Sequence, residues 1–234
     1  MLHTTRYDAV IFDLFGTLVD EMVYPESHAL RHSQATVAMA DTLGAPQDAF
    51  LRLWGEMVSQ RDDGSFSTTE TCLTYVLSEL GIPADAARIH EATQSRLEYY
   101  RHALEPRPDA LETLATLKAD GYKIGLISGC SNDVSILWPT TPFAELMDAA
   151  VLSCEVGFTK PDPRIYHLAC ERLGVRAEKC LFVGDGSSNE LTAASELGMG
   201  AVLIRTSDDI EDGNRQSWND TRISALGEVL SLLI

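Results

Sequence analysis

No run of lysine or arginine occurs in the 234 residues, and 18 basic side chains stand against 35 acidic ones, a formal net charge of −17. A field of that sign repels phosphate backbones and anionic membranes, so nucleic-acid binding would need a basic patch that the sequence lacks. The expected partner is a small molecule, with no nucleic acid and no membrane. Cysteine is sparse: Cys72, Cys130, Cys154, Cys170 and Cys180 are odd in number and widely spaced, with no Cys-x-x-Cys and no Cys/His ligand spacing. They read as reduced cytosolic thiols. No apolar stretch approaches the ~18 residues of a membrane span. The start runs from Met1 through Tyr7–Phe12 into Asp13 and has neither the long apolar core nor the cleavage site of a secretory signal. A cytoplasmic location follows as the expectation. Internal repeats and low-complexity segments are absent too.

What is present is an ordinary globular composition, 45% hydrophobic and 23% charged, which excludes disorder of the whole chain. The length allows one large domain or a core carrying a smaller second one. Short apolar runs without strict alternation recur at Tyr7–Phe12, Tyr122–Ile127, Ala149–Ser153, Leu181–Val183 and Ala201–Ile204. Continuous runs of this kind are strands covered on both faces, and helical spacers between them predict βαβ units. Asp109–Asp120 carries a stripe of Ala110, Leu111, Leu114 and Leu117 and stops at Gly121; Asp162-Pro163 opens a helix that Gly174 closes; Leu191–Leu197 stops at Gly198. The predicted fold is α/β, a Rossmann-like doubly wound parallel sheet. Ser207 to Asp220 reads as a solvated loop and Arg222–Ile234 as an amphipathic closing helix.

Between about Val19 and Leu104 no strand is legible. Ala29–Leu43, Pro46–Gln60, Thr68–Leu80 and Ala84–His102 have helical spacing, broken at Gly44-Ala45-Pro46, Arg61–Ser65 and Gly81-Ile82-Pro83. This predicts an all-helical module, residues 20–104, inserted into an α/β core made of 1–19 and 105–234.

In a doubly wound sheet, the loops at the carboxyl ends of the strands build the site. Those loops hold Asp13-Leu14-Phe15-Gly16-Thr17-Leu18, then Ser128-Gly129-Cys130, then Thr159-Lys160-Pro161, then Gly184-Asp185 and the residues up to Glu190. Each motif is short, but the four in this order at strand ends resemble the haloacid dehalogenase superfamily, and the helical insertion sits where one branch of it carries a helical cap. The resemblance implies an enzyme, a hydrolase, in which Asp13 is the nucleophile that forms a covalent aspartyl intermediate. Thr17 and Ser128 would hydrogen-bond the nucleophile or the transferring group, and Lys160 would keep Asp13 ionised. Asp13, Asp185 and the backbone carbonyl of Phe15 would hold a magnesium ion, the cofactor of the superfamily's phosphatases. Gly16, Gly129, Tyr166 and Asn189 complete the expected substrate contacts, with Asn189 standing where many of those phosphatases have another aspartate.

The departure from the phosphatase pattern is Phe15, which stands in place of a second aspartate that protonates the leaving oxygen. An aromatic there, and Tyr166 six residues after Lys160, resemble the 2-haloacid dehalogenases, whose leaving halide needs no proton. Asp185 pulls the other way, because those dehalogenases bind no metal. Asp13, Asp185 and Glu190 against Lys160 alone call for a cation or for raised pKa values. A magnesium-dependent phosphomonoesterase is the leading expectation, with a haloacid dehalogenase and a non-catalytic ligand-binding descendant as alternatives. The substrate would be a phosphorylated or halogenated organic acid, and the protein a monomer or homodimer. Glu190 is expected to face a helix dipole. His28 and His32, one turn apart on the first helix of the insertion together with Arg31, are candidates for a replacement acid/base or a substrate-specificity element.

Overall fold

The computed structural model of the protein describes residues 6–19, 25–205 and 218–233, with the side chains of 25–31 outside the description. Strand β1 (Ala9–Phe12) is buried at every position. Val10 and Phe12 point into one apolar layer and Ala9 and Ile11 into another, so an unbroken apolar run serves two faces at once. β2 (Lys123–Ser128), β3 (Ala149–Leu152), β4 (Cys180–Gly184), β5 (Gly200–Ile204) and β6 (Arg222–Ile223) complete one sheet in the order β3-β2-β1-β4-β5-β6. All its pairings are parallel. The chain therefore winds outward in both directions from β1, which is the doubly wound arrangement expected.

Among the described residues, the expected insertion holds α1 (Pro25–Leu43), α2 (Gln47–Glu56), α3 (Val58–Asp62), α4 (Thr69–Glu79) and α5 (Ala86–Ala103), which follow β1. Met39, Phe50, Trp54, Leu73, Val76, Leu77 and Ile89 give them an apolar cluster of their own. The single helix expected over Pro46–Gln60 is two helices, broken at Met57. There the carbonyl of Trp54 accepts a 2.6 Å hydrogen bond from Arg61 Nη1. The two chain crossings lie side by side: Val19 bridges Pro106, and Arg107 N–H donates to Leu18 O at 2.9 Å.

The core helices are α6 (Ala110–Ala119), α7 (Asn132–Leu137), α8 (Ser153–Val156), α9 (Pro163–Leu173) and α10 (Glu190–Glu196). Asp162 caps α9, accepting from Arg164 N–H, and Gly174 ends it in a left-handed conformation. The C-terminal segment departs from expectation. Arg222–Ile223 is an edge strand on β5, and Leu226–Leu232 is a 3₁₀ helix rather than an α-helix. Ile223, Leu226 and Val229 are all buried and lie three residues apart, which is the repeat of a 3₁₀ helix; three-residue spacing alone cannot separate it from an α-helical stripe. Of the loop expected over 207–220, residues 207–217 lie outside the described residues. Among the described residues no helix is long and apolar enough to cross a membrane.

Candidate active site

β1 and β4 are neighbours, so the residues that follow them meet. Asp13 and Asp185 are carried on those two strand ends and are 3% and 5% exposed. Asp13 N–H is tied to Val183 O at 2.9 Å, which fixes the first acid to the strand that carries the second. After Asp13 the chain turns sharply: Leu18 and Val19 N–H both donate to Leu14 O, and Thr17 Oγ1 donates back to Asp13 Oδ2 at 3.2 Å. Gly16 has φ +74°, and a Cβ there would lie 2.6 Å from Asp185 Oδ2. Both the backbone conformation and the closeness of the second acid require glycine. Arg107, buried at the second chain crossing, donates through Nη2 to Gly16 O at 2.9 Å.

Lys160 reaches in from the loop before α9. Its ammonium contacts Asp13 Oδ1 and donates to Glu190 Oε2 at 2.5 Å. Glu190 is fully buried, and its Oε1 accepts from Gly186 N–H at 3.0 Å. Gly184 makes room for it, since a Cβ at that position would fall 2.1 Å from Glu190 Oε1. The expectation that Glu190 only faces a helix dipole is thereby corrected: its carboxylate shares the ammonium with Asp13. Asn189, expected as a substrate contact, is exposed, in a left-handed conformation, with no capping hydrogen bond. It is the acid one residue further on that meets Lys160. The signal for this was the lone lysine itself, which three acids could share.

Oxygen atoms of Asp13, Asp185 and Glu190 all lie within 4.8 Å of one another. Burial pushes the Asp13 carboxyl upward, against Lys160 and helped by Asp185. Burial likewise lifts Glu190 to about 8, against Lys160 and with Asp13 and Asp185 adding to it. For Lys160 burial opposes the charge, but Asp13 and Glu190 outweigh it, and the ammonium is held firmly protonated. Lys160 contacts two of the three carboxylates, Asp13 and Glu190, and the closeness of three acids favours a cation among them.

Ser128 ends β2 with its hydroxyl buried and without a hydrogen-bond partner. A buried polar atom of that kind calls for a partner such as a water, an ion or a ligand. Gly129 follows, and a Cβ there would come 2.9 Å from Thr159 Oγ1. Tyr166, expected as a substrate contact, is wholly buried, packs edge-on against Phe182, and donates its hydroxyl to the backbone carbonyl of Glu190 at 3.1 Å.

A cavity of about 590 Å³ lies between the inserted helices and the core. Phe15, Gly129, Cys130 and Ser131 line it on the core side, and His32, Trp54, Arg61, Arg96 and Tyr100 on the other. Phe15 therefore faces the cavity, with its ring 6.5 Å from that of Tyr100 in an edge-on arrangement. His32 lines the same space beside Tyr99. The side chains of His28 and Arg31 lie outside the described residues. Across the mouth, Asp133 of α7 binds Thr69 of α4 at 2.6 Å and Arg96 of α5 at 2.7 Å, with Ser131 at 2.8 Å. Sequence reasoning missed Trp54, Arg61, Arg96 and Asp133, since nothing in one chain's spacing marks which helix faces meet across an insertion.

A strand-end aspartate bonded to a threonine four residues on, a lysine from a third loop and acids after a fourth strand, all on a doubly wound sheet, define a superfamily by geometry. A family model for haloacid dehalogenase-like hydrolases matches residues 7–198. The chain belongs to that family of hydrolases. It is 29% identical over 209 residues to (S)-2-haloacid dehalogenase 4A of Burkholderia cepacia, covering 84% of this chain and 82% of the relative. It is 28% identical over 206 residues to glyceraldehyde 3-phosphate phosphatase of Methanothermobacter thermautotrophicus, covering 85% of each. In three dimensions it matches 2-haloacid dehalogenase from Pseudomonas syringae with a TM-score of 0.70 at 25% identity, over 97% of this chain and 98% of that one.

Proposed function

We propose that the protein is a magnesium-dependent phosphomonoesterase acting on a small phosphorylated metabolite, with residues 20–104 serving as a cap over the core formed by 1–19 and 105–234. The observation that carries this reading is the gathering of the Asp13, Asp185 and Glu190 carboxylates within 4.8 Å of one another, with Lys160 against Asp13 and Glu190. Glu190 is already spent on Lys160 and Gly186, so Asp13, Asp185 and the carbonyl of Phe15 are the groups that would hold the ion. Hard oxygen donors of this kind suit magnesium, which when bound supplies positive charge to a phosphate dianion.

In this reading an Asp13 carboxylate oxygen attacks phosphorus while the bond from phosphorus to the ester oxygen breaks. The leaving alcohol departs with the electron pair, and water then cleaves the aspartyl phosphate, returning Asp13 and releasing phosphate. Thr17 fixes the Asp13 carboxylate in one rotamer, Lys160 keeps it anionic, and Ser128 donates its hydroxyl to a phosphoryl oxygen. Phe15 can neither protonate the leaving oxygen nor activate water, so the enzyme favours esters whose alcohol leaves readily as an anion.

The test is phosphate release from a panel of phosphomonoesters, with magnesium and with a chelator, in wild type and Asp13→Asn. Release that needs magnesium and disappears in the variant is the expected result. Release that persists in Asp13→Asn would sink the nucleophilic assignment. Phe15 favours one other reading, hydrolysis of a 2-haloacid, where the leaving halide needs no proton. Metal-independent halide release, with no phosphate from any ester, would replace the first reading with this one.

A further inference from the structure

The wall of the cavity opposite Phe15 and Gly129, which flank Asp13 and Ser128 in sequence, carries two hydrogen-bond donors with nothing to donate to. Trp54 Nε1 and Arg61 Nε are buried and have no partner, and their residues, 2% and 6% exposed, both line the cavity. The guanidinium lies over the indole ring at 4.0 Å from its centroid, and Nη1 is committed to the Trp54 carbonyl. One nitrogen of a flat cation is thus fixed by the backbone, one face by an aromatic ring, and Nε is left over.

The surrounding charges do not satisfy that nitrogen. Arg96 is paired with Asp133, whose carboxylate also accepts from Thr69 and Ser131. Asp62 adjoins in sequence but makes no ion pair with Arg61 within 4.0 Å among the described residues, and burial lifts its carboxyl to about 6. Cys72 shares a hydrogen bond with the Arg61 side chain, and burial pushes its thiol up, so it takes up a terminal nitrogen and leaves Nε as it is. Burial first, and then Arg96, disfavour the charge on Arg61. Two arginines and two aspartates balance in number, so what marks Arg61 is unspent hydrogen-bonding geometry rather than excess charge.

We infer that Trp54 and Arg61 form a subsite for a carboxylate at the end of the substrate remote from the reacting group. The inference rests on the reading that the reacting group sits at Asp13. A planar carboxylate accepts from the free nitrogen of a guanidinium, and the ring-stacked, backbone-tethered Arg61 is already held for it. Nε with one indole N–H suits a monoanion better than a phosphate dianion, which calls for more donors. Ser128, the orphan hydroxyl of the core, would then serve one end of the substrate and the Trp54–Arg61 pair the other. The substrate class becomes a phosphorylated organic acid.

The experiment compares calorimetric binding of 3-phosphonopropionate and propylphosphonate, which carry the same phosphonate with and without a carboxylate and have no ester bond to break. With magnesium present, wild type and Asp13→Asn are expected to bind the carboxylated compound at least tenfold more tightly. That advantage should vanish in Arg61→Gln and shrink several-fold in Trp54→Phe, which removes the indole N–H but keeps an aromatic ring. Equal affinities in wild type, or an undiminished advantage in Arg61→Gln, would overturn the subsite. Should Arg61→Gln not fold, an undiminished advantage in Trp54→Phe would overturn it. If neither phosphonate binds, the phosphatase reading has failed, and glutarate against butyrate decides the subsite alone: preference for glutarate, lost in Arg61→Gln, upholds it, and no preference overturns it.

Discussion

Arg96 of α5 donates through Nε to Asp133 of α7 at 2.7 Å, with both side chains almost wholly out of solvent. The pair ties the inserted helices to the core beside the cavity mouth, and Thr69 adds a second tie to the same carboxylate. Burial raises the Asp133 carboxyl, but Arg96, Thr69 and Ser131 together bring it below the ordinary range. A folded-state pKa below the unfolded one means that the stabilisation is present above about pH 3.9, the usual aspartate value, and is lost as pH falls through the lower folded one. Leaving Arg96 buried without its acid costs about 3–5 kcal/mol. Asp133→Ala should therefore lower the urea midpoint strongly at pH 7. The gap between wild type and variant should close on acidification below about pH 4; a gap unchanged down to pH 3 would show that the carboxylate does not hold the two parts together.

The fold was legible in the sequence to the extent that its elements were long and buried on both faces. The runs around Ile11, Leu126 and Phe182 declared their strands because a central parallel strand has no polar face to interrupt the run. β6 was illegible because two residues carry no period; Ile223 is held by its pairing with Ile204 and by burial in the core. In the site, Asp13, Thr17, Ser128, Lys160 and Asp185 were readable because each stands at or just beyond the end of an element, or in a short loop between two. Glu190 was misread because its role depends on Gly184 and Gly186 letting a helix-opening acid turn inward. Trp54, Arg61 and Asp133 lie 41 to 120 residues from Asp13 in sequence, and only tertiary packing brings the first two to the cavity and the third to its mouth.

Gly16 is where backbone conformation and chemistry meet. At φ +74°, alanine costs about 1–3 kcal/mol in backbone strain, and its Cβ would meet Asp185 Oδ2 at 2.6 Å, so the second acid has to move. Gly16→Ala is expected to fold with a lower melting temperature and to lose hydrolysis by more than tenfold even where fully folded. Metal titration followed by calorimetry separates the two effects: weakened magnesium binding by folded Gly16→Ala is the expected outcome, and unchanged binding would mean that Asp185 is no ligand.

Phe15 sets the sharpest kinetic expectation. It lies on the cavity wall near Tyr100, and no titratable group occupies its position to hand a proton to a departing alkoxide. General acid assistance is typically worth ~10²–10⁴-fold, so without it the rate should depend steeply on the pKa of the leaving alcohol. Aryl phosphates should be hydrolysed far faster than alkyl phosphates at equal magnesium. Phe15→Asp places a carboxyl one turn of the loop from Asp13, and should raise turnover of alkyl phosphates much more than that of aryl phosphates, flattening the dependence. The panel to measure is kcat/KM for a series of esters in both proteins. A wild-type series with no slope would mean that another side chain already supplies the proton, and His32, which lines the same cavity, is the first to replace with alanine.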